Sequence, residues 1–151
     1  MRAQRIMAIA SGGGHWIELR RLMPAFEGLD VFFVSIAPSA AEDVPDHRYY
    51  SIRDVSRRDS LGFMVLTAQL LRILLKERPT KIITTGSAPA FVAICLAKVL
   101  FRAEAMWIDS IANVRVLSSS GQQAGRVADV WLTQWPELSA PDGPHYWGSV
   151  L

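Results

Sequence analysis

Cysteine is nearly absent: Cys95 is the single one in 151 residues. A lone thiol forms no internal disulfide and no cysteine-rich zinc site, and a reducing compartment is the simplest setting. Long apolar runs are also missing. The longest, residues 61–75 (LGFMVLTAQLLRILL), contains Gln69 and Arg72, and the next, residues 88–101, contains Lys98. Neither reaches the roughly 20 residues of a spanning helix. The first apolar run, residues 6–10, gives way at once to glycine, which is too short for a signal peptide. Net charge is only +2, which gives no ground for a nucleic-acid partner. Lysine is scarce as well, since 13 of the 16 basic residues are arginine. Arginine suits bidentate contacts to phosphate or carboxylate, although a GC-rich coding sequence produces the same bias. His15, His47 and His145 have no metal-ligand spacing, and the chain carries no P-loop, no nucleophile elbow and no acidic metal cluster. No metal or cofactor is called for.

What is present is apolar. Half of the residues are hydrophobic and 20% are charged, with a mean hydropathy of +0.19. Such a chain folds, and its length predicts a single domain over residues 1–151. The excess apolar surface needs a destination. One candidate is the stretch 61–75, which is apolar around most of a helical circumference and flanked by Arg57, Arg58, Lys76, Arg78 and Lys81. A helix of that kind lies on an anionic membrane surface or packs under a sheet with its ends solvated.

Strands and helices alternate along the chain. Short β-branched or aromatic runs predict strands at residues 5–10, 31–36, 81–85, 105–108 and 130–133, with weaker candidates at 47–52 and 147–151. Helical spacing follows at 15–23, with Trp16, Leu19 and Met23 on one face and Gly28 as the stop. A long helix capped by Ser60 runs to about Arg78, and another covers about 89–101. Residues 38–46 read as a loop, and 118–121 as a loop within a poorly defined helical region. The alternation predicts an α/β fold, a Rossmann-like parallel sheet with helices on both faces. Ligands of such sheets bind outside the carboxyl ends of the strands.

The residues at those ends are informative. Ser11-Gly12-Gly13-Gly14-His15 sits between a strand and a helix, where glycine lets backbone N–H groups approach an anion. It is not a dinucleotide fingerprint: Ile17 stands at the third glycine position and no acid closes the second strand. The alternative is a tight turn without a ligand. His15 follows the glycines, and a neutral imidazole there can act as general base or bond a phosphate. Thr85-Gly86-Ser87 forms the second strand-end loop, with hydroxyls suited to phosphate or sugar, or to capping alone. Asp109 ends another strand and can orient a hydroxyl or His15, or cap a helix. Cys95 reads as core. Trp135, Tyr146 and Trp147 are late aromatics that suit a core, a lid or a subunit interface.

Five segments in chain order carry a resemblance: Ser11 to His15, Thr84-Thr85-Gly86, Ile108-Asp109-Ser110, Ala128-Asp129 with Gln134-Trp135-Pro136, and Tyr146-Trp147-Gly148-Ser149-Val150-Leu151. Together they resemble the membrane-anchoring subunit of the split UDP-N-acetylglucosamine transferase, and above all the PssD-type proteins of bacterial exopolysaccharide synthesis. The resemblance implies the N-terminal half of a MurG-like GT-B glycosyltransferase. It implies a PssE-like partner subunit that supplies the C-terminal half and most of the UDP-sugar site. It also implies inverting transfer to a polyprenyl-diphosphate-linked acceptor at the inner face of the cytoplasmic membrane, with the protein cytoplasmic and peripheral. Gly12, Gly13, Gly14 and Gly86 would then lie near the acceptor diphosphate, with Ser11, Thr85 and Ser87 beside them and Trp135, Tyr146 and Trp147 toward the partner. His15 and Asp109 are the candidate bases, and the choice between them stays open. Two departures stand out. The chain starts directly at its first strand rather than with a spanning segment, so membrane contact falls to a surface such as 61–75. Asp109 occupies a position where many relatives have glutamate. The rival expectations are a non-catalytic scaffold that recruits and activates a catalytic partner, and a stand-alone nucleotide-binding α/β enzyme.

Overall fold

The computed structural model describes residues 3–56 and 58–150. Arg57, counted above among the basic flank, and Leu151, the end of the last motif, lie outside the described residues. All seven strands are parallel, in the order β3-β2-β1-β4-β5-β6-β7. They are β1 (Arg5–Ile9), β2 (Asp30–Ser35), β3 (Arg48–Ser51), β4 (Lys81–Thr84), β5 (Glu104–Ile108), β6 (Val130–Thr133) and β7 (His145–Tyr146). The helices between them are α1 (Gly14–Arg21), α2 (Ser60–Glu77), α3 (Ala88–Phe101) and α4 (Ser119–Ala124). This is the expected α/β sheet of Rossmann type.

Two apolar layers hold the sheet. On one face Met7, Phe32, Ile82 and Trp107 pack against Leu66, Leu70 and Leu74 of α2, Ala93, Ile94 and Ala97 of α3 and Ala124 of α4. On the other face Ile6, Ala8, Val31 and Phe33 meet Trp16 and Leu19 of α1 and Phe26 just beyond it. Alternate residues of a strand feed opposite faces, so residues 6–9 of β1 and 31–34 of β2 are apolar without interruption. Burying each of these large side chains stabilises the fold by roughly 1.5–3 kcal/mol. The chain returns from β3 through α2 to β4 on the far side of β1, so the strand ends of β1 and β4 lie side by side at the point where the order reverses.

Several boundaries depart from expectation. Asp59, not Ser60, caps α2, its carboxylate accepting from Gly62 N at 2.7 Å. The carboxylate is the stronger acceptor for the free amides of a first turn. The poorly defined helical region around 118–121 contains α4, which Ser118 caps, its Oγ accepting from Gly121 N at 2.9 Å. Within 38–46, Pro38–Asp43 is a short 3-10 helix. The last strand among the described residues is His145–Tyr146, ahead of 147–151, the span expected as a terminal strand or tail. No helix among the described residues is long and apolar enough to cross a membrane.

The amino-terminal edge of the sheet is closed by an ion network. Asp30 binds Arg5 Nε and Arg48 Nη2 at 2.8 Å each. Glu77, at the end of α2, takes Arg5 at 3.3 Å, Arg48 at 3.2 Å and the Tyr50 hydroxyl.

Candidate functional site

At the carboxyl edge the backbone is left open. After β1 the chain reverses through Ser11 and Gly12, both half-buried, into Gly13, which caps α1 at φ 65° and ψ −135°. A side chain at Gly13 would meet nothing within 4 Å, so glycine is required there by the dihedral and not by space. No side chain caps α1 and no acid occupies its first turn. The first intrahelical bond runs from Ile17 N to Gly13 O at 3.1 Å, which leaves the N–H groups of Gly14, His15 and Trp16 without a partner in the helix. Gly13 and Gly14 are exposed. Three free amides at a helix start form an anion seat.

His15 lies in that first turn and is tied to the neighbouring strand end. Its Nδ1 is 2.9 Å from Thr85 O, and Thr85 Oγ1 donates to His15 O at 2.6 Å. A carbonyl oxygen only accepts, so Nδ1 carries a proton, and in the neutral tautomer of the ring the lone pair is on Nε2. The imidazole rests on Gly86, where an added Cβ would come within 3.0 Å of both His15 Cε1 and Nδ1. Gly86 also has φ 119°, a region closed to most side chains. Ser87 shares that φ and uses its Oγ to cap α3, accepting from Ala90 N at 3.4 Å. The structure thus brings Gly13, Gly14, His15, Thr85, Gly86 and Ser87 to one place, where β1 and β4 adjoin.

Asp109 is held within the loop that follows β5. It is 1% exposed and its carboxylate accepts from Trp107 Nε1 at 3.1 Å, Asn113 Nδ2 at 2.9 Å, Ser118 N at 3.1 Å and Ser118 Oγ at 2.7 Å. Four donors occupy both oxygens, and none comes from His15. Asp109 holds the chain between β5 and α4 in shape.

A second buried carboxylate went unforeseen. Glu18, one turn beyond His15, is 3% exposed. It accepts from Ser110 Oγ at 3.0 Å, Ile111 N at 2.8 Å and Gln134 Nε2 at 2.7 Å. Gln134 in turn donates to Asp109 O at 3.0 Å and accepts from Val150 N at 2.7 Å. Glu18 therefore fastens α1, and His15 with it, to the ends of β5 and β6. The only signal in the sequence was an acid on the same helix face as Leu22 and His15.

The late aromatics separate. Trp135 is half-buried and donates to Ile111 O at 2.7 Å, whereas Tyr146 is 42% and Trp147 68% exposed. Cys95 is half-buried in α3, and burial pushes its thiol pKa up. Among the described residues no group of His, Cys, Asp and Glu is arranged to hold a metal ion.

Comparison with protein-family models and with curated protein sequences returns no match. Solved structures do match. MurG of Acinetobacter baumannii superimposes with a TM-score of 0.70 at 17% identity, covering 89% of this chain and 41% of MurG. A UDP-N-acetylglucosamine 2-epimerase assigned in Listeria monocytogenes gives a TM-score of 0.62 at 16% identity, covering 89% and 40%. The UDP-GlcNAc 2-epimerase of Methanocaldococcus jannaschii gives 0.62 at 11% identity, covering 88% and 39%. At these identities the likeness shows the fold: one Rossmann-like half of a GT-B architecture. The chain spans about two fifths of the length of the solved structures it matches.

Proposed function

We infer that this fold and its open strand-end site serve as the acceptor-side half of a two-component inverting glycosyltransferase. The reading rests on one observation above all: His15 is fixed through Nδ1 to Thr85 O, in the first turn of a helix that no side chain caps. The likeness to a MurG half supports it, as does the order of motifs that resembles the PssD-type proteins. The diphosphate of a polyprenyl-linked acceptor sits on the amides of Gly14, His15 and Trp16. His15 Nε2 takes the proton of the acceptor hydroxyl as that oxygen attacks the anomeric carbon of a UDP-sugar. The bond to UDP breaks on the opposite face, which inverts the centre and leaves UDP with the electron pair. Asp109 and Glu18 act at a distance, by shaping the loop after β5 and anchoring α1.

A PssE-like half-domain supplies most of the UDP-sugar site, and exposed Trp147 and Tyr146 offer it a surface. The complex works at the inner face of the cytoplasmic membrane, in exopolysaccharide assembly. The test is co-expression with a UDP-binding half-domain, purification of the pair, and a screen of UDP-sugars on a lipid-diphosphate acceptor. Transfer that requires both chains is the expected result. Transfer by this chain alone, or a stable pair that accepts no UDP-sugar, overturns the reading.

A further inference from the structure

The helix that carries His15 is short, and Trp16 and Leu19 are its only buried apolar side chains. Polar bonds supply the rest of its fastening, and the buried ones converge on Glu18. No cation pairs with Glu18 among the described residues. Its carboxylate is therefore stabilised by neutral donors: Ser110 Oγ, Ile111 N and Gln134 Nε2.

Of these donors, Gln134 has its own geometry set from elsewhere. Its side chain is buried, and its amide is committed at both ends. Nε2 donates to Glu18 Oε1 at 2.7 Å and to Asp109 O at 3.0 Å, while Oε1 accepts from Val150 N at 2.7 Å. Turned over, the amide would aim its N–H groups at an N–H and its oxygen at a carboxylate. Val150 reaches it by a bend. After β7 the chain leaves Trp147 in solvent, turns at Gly148 with φ 116°, and comes back to α1, where Arg21 Nη1 donates to Val150 O at 3.0 Å. Both backbone groups of Val150 thus end on one helix, directly at Arg21 and through Gln134 at Glu18. Glu18 and Arg21 are three residues apart and neighbours on its surface. His15 stands one turn before Glu18, with its ring against Thr85 O and Gly86, so a rotation of α1 against β4 alters that contact at once.

We propose that Gln134 is a positioning residue for His15 and that residues 147–150 set it. The bond from Val150 N fixes the amide that holds Glu18, and Glu18 fixes the angle at which α1 presents its ring and its free amides. Val150 thereby acts on the anion seat without touching it. The proposal rests on the reading of His15 and the helix amides as the site, and the test lets the two fail separately.

Ring-nitrogen and amide resonances of the full chain are followed by NMR as inorganic pyrophosphate is added. Val150→Pro removes the N–H that Gln134 accepts, at a residue outside every described helix and strand. Gln134→Met removes both ends of the link at similar volume. Both variants should displace the His15 ring resonances in the same direction, Gln134→Met the further, with those of His47 unmoved. Pyrophosphate binding should weaken about threefold in Val150→Pro and about tenfold in Gln134→Met, the range that one hydrogen bond spans in an equilibrium. The double variant should go no further than Gln134→Met alone, because Val150 acts through Gln134. If Gln134→Met does not fold, Val150→Pro decides alone. Leu70→Ala, in the apolar layer on the other face of the sheet, lowers the thermal midpoint and should leave the His15 ring in place. The proposal is overturned by Val150→Pro with ring and binding at wild-type values, by effects that add in full, or by a ring displacement that Leu70→Ala reproduces. The expected displacements in a chain that binds no pyrophosphate uphold the coupling and overturn the anion seat.

Discussion

The two edges of the sheet treat charge and hydrogen bonding in opposite ways. At the amino edge every strong group is answered from within: Asp30 has two arginines, and buried Glu77 has two arginines and a phenol. At the carboxyl edge α1 starts with no side-chain cap, and the imidazole beside it uses only one of its two nitrogens. Both edges are rich in polar atoms, so polarity alone would not tell them apart. The difference lies in satisfaction: a network that completes itself stabilises the fold, while donors and lone pairs left over are available to a ligand.

Substitutions on either side sharpen that contrast. His15→Ala should cost about 10²–10⁴-fold in turnover of the assembled pair, with an unchanged thermal midpoint, as general-base assistance of this size would be lost. Unchanged turnover would assign this edge to scaffolding. Glu77→Ala should do the reverse. It strips Arg5, Arg48 and Tyr50 of a carboxylate that is only 4% exposed, and the expected loss is about 3 kcal/mol in urea unfolding, with little effect on the affinity of the carboxyl edge for a diphosphate. Gly86→Ala affects both quantities. Its Cβ would press on His15, and the dihedral is strained for alanine, so a stability loss of about 1–3 kcal/mol should accompany a displaced imidazole resonance. The smallest effect belongs to pH. Hydrogen bonds from Arg5, then Arg48, hold the Asp30 carboxyl below its usual 3.8. Its stabilisation is therefore complete above that value and fades as pH falls through the lowered one. Asp30 is partly solvated, so the slope should amount to under about 1 kcal/mol, and Asp30→Asn should flatten it in acid unfolding curves.

Much of this was legible in the sequence, for identifiable reasons. β1, β2 and β4 announce themselves because strands buried on both faces are apolar without a break. The loops of Gly13 and Gly86 are visible because a chain that leaves a strand and enters a helix within four residues needs dihedrals that glycine adopts. α4 was not legible. Its serines read as loop, and only the donor geometry at Ser118 and the packing of Ala124 make it helical. β7 has two residues, too few for any periodicity. Glu18 was invisible for a deeper reason: its three donors lie 92, 93 and 116 residues away along the chain, and an acid in a short helix is ordinarily solvated. Asp109 was seen, but the four donors that occupy it were not, because they depend on how the chain after β5 curls back.

The paired bonds between His15 and Thr85 have a geometric consequence. The imidazole belongs to α1 by sequence, yet its position is set by the end of β4 and by the flat floor at Gly86. The central sheet is thus the datum for the His15 ring. In the two-component reading proposed above, a second half that closes over this edge would bring its substrate to a fixed point, and a misfit in closure would appear as a displaced substrate and not as a displaced imidazole.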